Sequence, residues 1–504
     1  MGKGFVYLVG AGPGRADLIT VRGAEVLRKA DCIIYDKLAN PALLRFADEG
    51  AEIIHVPKRT GGNSVTQDEI NKLLLEKALA GLTVVRLKGG DPCIFGRCSE
   101  ELAVLIEHGI GFEIVPGISA GIAVSAYAGI MLTDREYSSQ VIFVTGHEAP
   151  DKQKTNIDWP LLAKLNGTIV FYMGIGKLDY ITTQLMENGM APDTPAAIIA
   201  DATFPTQRIT KAKLSNINQQ CLQTGIKPPA IVVIGTAAGS DTRLNWFMQQ
   251  PLFGKNIVVT RDVPGNIDFA DKIIRRGGNP IKFPTIKIKP LTQKNEFLHT
   301  LAKITEYDWI IFTSGNGVTI FFETIRSLGK DARIFGSTKI AAIGGKTADK
   351  LSEFGIQADF VPGVFTSKEL GRQLIAHTNL KDKKILLLRS KIASNELVEL
   401  LQKAGAEIND VAIYTAQQEK NDNRWLIEEI NKGRIDWLTF ASPSSVDGFF
   451  AGIPRDLVNS ANVKVVSIGP VTSERLKNLG VNVDKTAEEH TLDGLIDAIE
   501  QMYK

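Results

Sequence analysis

The stretch VGAGPGRADLIT, Val9 to Thr20, decides how the first half of this 504-residue chain is read. It carries the apolar run FVYLVG, which reads as a strand, straight into a glycine-rich turn. Gly10, Gly12 and Gly14 permit a tight turn and close approach to the backbone, while Pro13 stiffens the loop and removes one donor. A dinucleotide-binding turn has the pattern G-x-G-x-x-G and runs on into a helix. Here Arg15 takes the place of the third glycine, and Gly14 comes one residue early. Asp36, about twenty residues further on, stands where a ribose-binding carboxylate would sit in such a fold. By itself the loop is either one wall of a cofactor site or a tight turn.

Outward from this loop the same alternation continues. DCIIYD, AEIIHVP, TVVRLKGGD, FEIVPG, VIFVTGH, TIVFYMG, AAIIAD and AIVVIG read as further strands. They are near-continuously apolar, as strands covered on both faces are. Segments such as TQDEINKLLLEKALAG have helical period and stop at a glycine, here Gly81. The chain is therefore expected to be α/β. Its length calls for about three or four core-forming units. A hydrophobic share of 44% and a charged share of 23% fit a globular chain and leave little room for disorder. A formal net charge of +2 argues neither for nor against nucleic acid, so any anionic ligand must be held by local clusters; the expected partners are small-molecule substrates and no nucleic acid. The four cysteines form no disulfide framework, and Cys93 and Cys98 lack metal-ligand spacing, so no metal site is expected. The absence of a signal sequence or an apolar run of membrane length points to a cytoplasmic protein with no membrane partner.

Near SDTRLNWFMQQPLFGKNIVVTR the pattern breaks and a new strand begins, placing a boundary at about residue 250. Beyond it the sequence is duplicated. DWIIFTSGNGVTIFF (Asp308 to Phe322) is echoed by DWLTFASPSSVDGFF (Asp436 to Phe450), KIAAIGGKTADKLSEFG by KVVSIGPVTSERLKNLG, and NIVVTR by KILLLR. Two similar α/β lobes follow. The small polar residues of FTS, FAS, GGKT and GPVT come just after strands, where α/β folds bind anions through free backbone N–H groups. A duplicated scaffold whose motifs serve packing alone is the alternative.

In the first half, RLKGGDPCIFGR ends a strand in Gly89-Gly90, with Asp91 suited to cap a helix that begins at Pro92. VPGISAGIAVSAYAGIMLTDRE, IVFYMGI and DATFPTQR add further glycine- or proline-marked loops, more than a dinucleotide fold needs. In this order the motifs resemble the uroporphyrinogen-III C-methyltransferase family over about residues 3–245, with VGAGPGxxDLIT, YDKL, VPKR, LKGGDPxIFGR, VPGIS, LTDRE and FYMG in sequence. The resemblance implies a tetrapyrrole-methylase-like pair of α/β subdomains, S-adenosylmethionine as co-substrate and a homodimer. It places Pro13, Gly89, Gly90, Asp91, Ile94, Ser119, Ala120, Met173 and Ala202 around the methyl donor. It makes Asp36 the proton acceptor and Lys58 the proton donor, because a pyrrole carbon that has gained a methyl group must lose a proton. Lys58, Arg59, Arg97 and Arg135 become clamps for a substrate bearing eight carboxylates, Arg135 on the strength of its motif. Ser119 stands where the family more often has Thr, and Ala202 where Gly is common.

The second half resembles uroporphyrinogen-III synthase through VVTR, FPTIKI, DWIIFTSGNGV, AAIGGKTA, LLLRS, VAIYTA, FASPSSV, SIGPVTS and HTLDGLIDAI. That implies a bilobal pair of α/β, flavodoxin-like domains joined by a two-strand linker near KFPTIKI and DVAIYTA. The implied division is 1–245 for the methyltransferase, 246–253 for a linker and 254–504 for the synthase. The synthase splits into lobe 1, residues 254–285 and 416–504, and lobe 2, residues 289–411. The family reaction closes hydroxymethylbilane to uroporphyrinogen III with inversion of one pyrrole ring, largely by folding the chain so that the correct carbon attacks. Thr313, Ser314, Ser442, Ser444 and Thr472 are implied carboxylate holders, and Tyr414 assists departure of the hydroxyl. Arg261, Lys282, Arg389 and Lys391 are further carboxylate candidates. Together the halves are expected to make uroporphyrinogen III and methylate it twice to precorrin-2, on the sirohaem and cobalamin branch. Two rival readings stand beside this: a nicotinamide-dependent oxidoreductase built on GAGPG, and a tetrapyrrole-binding protein without turnover.

Overall fold

The computed structural model describes residues 2–56, 65–148, 155–261, 263–293, 295–419 and 423–503. The chain forms two compact units, Met1–Asn256 with Lys272–Pro280 and Tyr503, and Ile257–Asp271 with Ile281–Met502.

The first unit opens with β1 (Phe5–Gly10), β2 (Cys32–Tyr35), β3 (Glu52–His55), β4 (Thr83–Lys88) and β5 (Gly111–Val115), in the spatial order β3-β2-β4-β1-β5. All neighbours are parallel. Alternate side chains feed two cores: Val6, Leu8, Ile34 and Val84 on one face, Val9, Ile33, Val85 and Leu87 on the other. Burial on both faces is why the inner strands β1, β2 and β4 read as unbroken apolar runs, while the edge strands β3 and β5 leave Ile53, Phe112 and Ile114 exposed. The register pairs Gly10 with Lys88 and Val9 with Val115, so the loops after β1, β4 and β5 leave one edge of the sheet side by side. Such an edge of carboxyl ends, where the strand order reverses, is where open α/β sheets bind ligands.

A second sheet holds β6 (Val141–Thr145), β7 (Thr168–Tyr172), β8 (Pro195–Ala200), β9 (Arg208–Lys213) and β10 (Ala230–Ile234), in the order β6-β7-β10-β8-β9. β10 runs antiparallel to both β7 and β8. The carboxyl ends of β7 and β8 therefore share one edge, from which Met173 and Ala202 follow. β9 is absent from the sequence expectation. Its residues RITKAK carry three cations because it pairs only with β8, at the sheet edge.

The second unit repeats one pattern. After β11 (Asn256–Val259) and β12 (Asn279–Lys282) come β13 (Ile286–Pro290), β14 (Trp309–Phe312), β15 (Lys339–Ala342), β16 (Lys384–Ser390) and β17 (Glu407–Gln418). The chain then returns with β18 (Trp437–Phe440), β19 (Lys464–Ser467) and β20 (Lys485–Thr486). One sheet is ordered β12-β11-β18-β19-β20 and the other β13-β17-β16-β14-β15. Numbered in chain order within each lobe, with the linker strand β13 left out and the second sheet read from β15, these are the 2-1-3-4-5 and 2-1-3-4 orders of flavodoxin-like folds. The two-strand linker is antiparallel: β13 lies along the end of the twelve-residue β17, with Pro290 opposite Tyr414.

Candidate functional site

In the first unit the glycine loops face one another rather than standing open. Gly12 and Gly90 form an antiparallel bridge, with N···O distances of 3.1 and 2.8 Å. A Cβ on Gly10 would sit 2.5 Å from the backbone nitrogen of Gly117, and one on Gly117 would sit 2.3 Å from the Gly90 carbonyl oxygen. These glycines are needed because three loops interlock, not only because a ligand must approach.

Asp91 does not cap a helix at Pro92. The segment after it is a turn, and the helix Cys98–Glu107 starts behind Arg97, whose backbone is left-handed. The Asp91 carboxylate instead accepts from Cys93 N (2.8 Å) and from Gly117 N (3.0 Å), tying GGD to VPGIS. Ile94, Ala120 and Ala202, far apart in sequence, pack against one apolar cluster that includes Val124, Val170 and Ile199. Pro13 lies partly buried in the first loop. Ser119 is buried at the N-terminus of the helix Ala120–Ala128, within hydrogen-bond reach of Tyr172. Met173, half exposed, follows directly.

Of the six non-glycine residues with left-handed backbone among those described, five sit in these loops: Phe95, Arg97, Met173, Asp201 and Thr203. Each such conformation costs about 1–2 kcal/mol, and strain of this kind gathers at ligand clamps. Thr203, fully buried, accepts from Arg15 N (3.1 Å), so the third position of the failed glycine pattern docks onto the DATFPTQR loop. Burial holds the Asp201 carboxyl above the ordinary carboxylate range, with Arg208 opposing.

Asp36 lies beyond the end of β2. One of its oxygens accepts from Gly89 N (3.3 Å) and the other from Arg86 Nη2 (3.2 Å). Arg86 is fully buried and part of a network that composition could not reveal. Glu101, itself fully buried, takes Arg86 Nε at 3.2 Å, Lys88 Nζ at 2.7 Å and Gln67 Nε2 at 3.2 Å. Two cations and two carboxylates thus balance beneath the GGD loop. Burial pulls the Lys88 ammonium below the ordinary lysine range, with Glu101 opposing. The one sequence signal was a pair of charges inside an otherwise apolar strand. Asn40, also missed, donates to the Gly14 carbonyl at 2.8 Å and so braces the first loop.

Of the expected carboxylate clamps, Lys58 and Arg59 lie outside the described residues. Arg97 is paired with Glu100 at 2.5 Å, and Arg135 is exposed on a turn closed by the Asp134–Ser138 bridge.

In the second unit, sequence duplication is matched by geometry. Ser314 and Ser442 cap the helices Gly315–Ser327 and Pro443–Phe450 with φ/ψ of −166/153 and −166/157, accepting from Gly317 N and Ser445 N respectively. Gly344 and Gly469 cap the helices Gly345–Glu353 and Pro470–Asn478 without a side chain. Tyr414, on β17 and 100 residues from Ser314, lies 2.8 Å from it, oxygen to oxygen. Thr313, partly buried, precedes Ser314. In the other lobe Ser442 also contacts Ser444 at 3.0 Å, while Thr472 is buried in the first turn of the helix Pro470–Asn478. Arg389 is no carboxylate ligand: it is buried and paired through two nitrogens with Asp410. Among the described residues no group of three His, Cys, Asp or Glu is placed to hold a metal, and no helix is long and apolar enough to cross a membrane.

A parallel subdomain and a mixed, mostly antiparallel one with interlocked loops, followed by a bilobal flavodoxin-like pair, define a chain that carries two enzyme folds. The Tetrapyrrole (Corrin/Porphyrin) Methylases family matches residues 6–218, and Uroporphyrinogen-III synthase HemD matches residues 267–497. The chain is 38% identical over 499 residues to the "Porphyrin biosynthesis protein HemD" of Ruminiclostridium josui, covering 99% of this chain and 98% of that one. It is 41% identical over 355 residues to the "Uroporphyrinogen-III C-methyltransferase" of Bacillus subtilis, covering 70% and 72% of the two chains. Over 232 residues it is 48% identical to the "S-adenosyl-L-methionine-dependent uroporphyrinogen III methyltransferase" of Methanosarcina barkeri, covering 46% of this chain and 91% of that one. The chain belongs to the family of fused porphyrin-biosynthesis enzymes, with a methyltransferase half that uses S-adenosylmethionine and a uroporphyrinogen-III synthase half.

Proposed function

We propose that the synthase half closes hydroxymethylbilane to uroporphyrinogen III and that the methyltransferase half methylates this product twice, giving precorrin-2 for the sirohaem and cobalamin branch. The observation that carries the reading is the welding of GAGPG, GGD and VPGIS by the Gly12–Gly90 bridge and the Asp91–Gly117 bond, directly beside Asp36. The donor set fits S-adenosylmethionine. Carboxylates at Asp91 and Asp201, backbone groups and a buried serine hydroxyl suit a ligand with a positive sulfonium, an ammonium and a ribose. When bound, that co-substrate supplies an electrophilic methyl group. Pro13, Gly89, Gly90, Asp91, Ile94, Ser119, Ala120, Met173 and Ala202 line it in this proposal. The geometry also supports Asp36 as the base that removes the proton from the newly methylated ring carbon, held in place by Gly89 N–H and Arg86. Lys58 is the proposed proton donor, and Arg135 a contact for a substrate carboxylate.

In the synthase half we assign Thr313, Ser314, Ser442 and Thr472 to holding carboxylates at strand ends, and Tyr414 to assisting loss of the hydroxyl. Ser314 then serves both as helix cap and as partner of Tyr414. We further propose division at residues 246–253 and homodimerisation through the methyltransferase half.

The test supplies hydroxymethylbilane with and without S-adenosylmethionine. Uroporphyrinogen III alone is expected without the methyl donor, and a dimethylated product with it. A monomethylated end product would overturn the second methylation, and isomer I in both tubes would overturn the synthase reading.

A further inference from the structure

We propose that Tyr172 is a positioning residue of the methyltransferase half: it fixes the direction of the Ser119 hydroxyl, so that Ser119 acts as a hydrogen-bond donor to the methyl donor. This rests on the cofactor reading above and adds to it a residue and a polarity.

Tyr172 is the last residue of β7, almost completely buried, and burial pushes its phenol above the ordinary tyrosine range. Its Oη lies 2.8 Å from Gly121 N, which donates to it, and 2.6 Å from Ser119 Oγ. Taken alone, the second contact could run in either direction. The phenol oxygen, however, is already accepting from the Gly121 amide. A phenol is also a stronger acid than an aliphatic alcohol, hence the better donor of the two. The lower-energy arrangement therefore has Tyr172 donating to Ser119, which leaves the serine proton aimed away from the tyrosine.

Ser119 has no other described use for that proton. It stands at the N-cap of the helix Ala120–Ala128, yet its side chain makes no capping bond, and it is 3% exposed. A buried hydroxyl with an unspent donor is costly unless a ligand takes it. The glycine at 121 belongs to the same device, because a Cβ there would sit 2.3 Å from Tyr172 Oη. The ring is steadied by Phe95 of the GGDPCIF loop, with centroids 5.1 Å apart, and by Phe143 at 5.7 Å. Gly90 lies against the same turn: a Cβ on it would be 3.7 Å from Ala120 N and 3.8 Å from Ser119 Cα. Tyr172 thus reaches the loops that hold Ile94, Ser119 and Met173 at once, and its hydroxyl sets the polarity at their meeting point.

The experiment measures S-adenosylhomocysteine binding to the full chain by calorimetry, together with methyltransferase kinetics. The variants are Tyr172→Phe, Ser119→Ala, the double variant and Ser119→Thr. Each of the first two is expected to weaken binding roughly tenfold, as loss of one net hydrogen bond does, with the loss falling on KM for the methyl donor far more than on kcat. The double variant is expected to be no weaker than the worse single one, since the two groups act as a unit. Ser119→Thr, which keeps the hydroxyl, is expected to bind like the parent chain. Ser119→Ala keeps the Tyr172–Gly121 bond, so its loss of affinity at an unchanged unfolding midpoint separates positioning from packing. Parent-like binding by Ser119→Ala, or single losses that multiply in the double variant, would overturn the proposal. Failure of the parent chain itself to bind would instead overturn the cofactor reading.

Discussion

Replacing Glu101 by Gln removes one charge from a set of four, of which Arg86, Lys88 and Glu101 are buried and Asp36 is partly exposed. Arg86 and Lys88 then face Asp36 alone, and the Lys88 ammonium loses the carboxylate 2.7 Å away. Breaking a buried pair on one side typically costs about 3–5 kcal/mol. An independent ceiling comes from the lysine. If Lys88 escapes by shedding its proton at pH 7, starting from its ordinary value of 10.5, the cost is about 3.5 × 1.36, or about 4.8 kcal/mol. The two figures agree. At about 2–4 °C per kcal/mol, the first unit should melt roughly 6–20 °C lower. The sign of the pH effect follows. In the variant the folded state holds Lys88 neutral while the unfolded chain keeps it protonated up to about pH 10.5, so the unfolded state binds the extra proton and stability rises with pH. Between pH 7 and pH 9 the deficit should shrink by about 2 × 1.36, or about 2.7 kcal/mol. Adding Lys88→Met should restore most of the loss by removing the unpaired cation. Urea titration of the full chain at pH 7, 8 and 9 measures all of this. A deficit under about 1 kcal/mol, or a Lys88→Met change that adds to the loss instead of rescuing it, would falsify the account of the network.

Asp36→Asn should lower methyltransferase kcat by about a hundredfold or more while S-adenosylhomocysteine still binds, because the carboxylate serves the proton and not the methyl donor; an active variant removes Asp36 as the base. Gly117→Ala should sharply reduce methyl-donor affinity, since its Cβ would lie 2.3 Å from the Gly90 carbonyl oxygen; parent-like binding by calorimetry contradicts the interlocked-loop geometry. Tyr414→Phe and Ser314→Ala should each slow cyclisation and raise the share of isomer I, with coupled effects because their hydroxyls are 2.8 Å apart; independent effects on the product ratio count against a shared role. Asp17, whose carboxyl Arg15 holds below the ordinary carboxylate range, contributes stability above about pH 4 that is lost as pH falls through its lowered pKa. Asp17→Asn should therefore flatten the acid limb of the unfolding curve, and an unchanged limb refutes the linkage.

The sequence carried the element list well where burial was two-sided. All nine strands read from apolar runs in the first half are present, the inner ones because a strand packed on both faces needs an unbroken apolar stretch; the edge strands β3 and β5 carry apolar runs although Ile53, Phe112 and Ile114 are exposed. β9 escaped because an edge strand is free to carry Arg208, Lys211 and Lys213. The helix expected after Asp91 followed a sound local rule, Asp then Pro, but the carboxylate found a better use in Gly117 N, 26 residues away. Arg389 looked like an anion ligand for a similar reason. It lies near the end of a strand in a motif, and its partner Asp410 comes from the neighbouring strand, opposite Leu387, a pairing that no local pattern announces.

Sequence by itself determined the α/β class, the duplicated second half and the order of the loops, since these rest on periodicity and turn chemistry within a few residues. Only the tertiary structure decided what those loops do to one another: Gly12 bridging Gly90, Arg86 reaching from Glu101 to Asp36, Tyr172 meeting Ser119 and Gly121, Tyr414 meeting Ser314. The physical reason is that a buried polar group must be satisfied, but which partner satisfies it is set by strand register and loop height, fixed when segments 50 to 100 residues apart pack together.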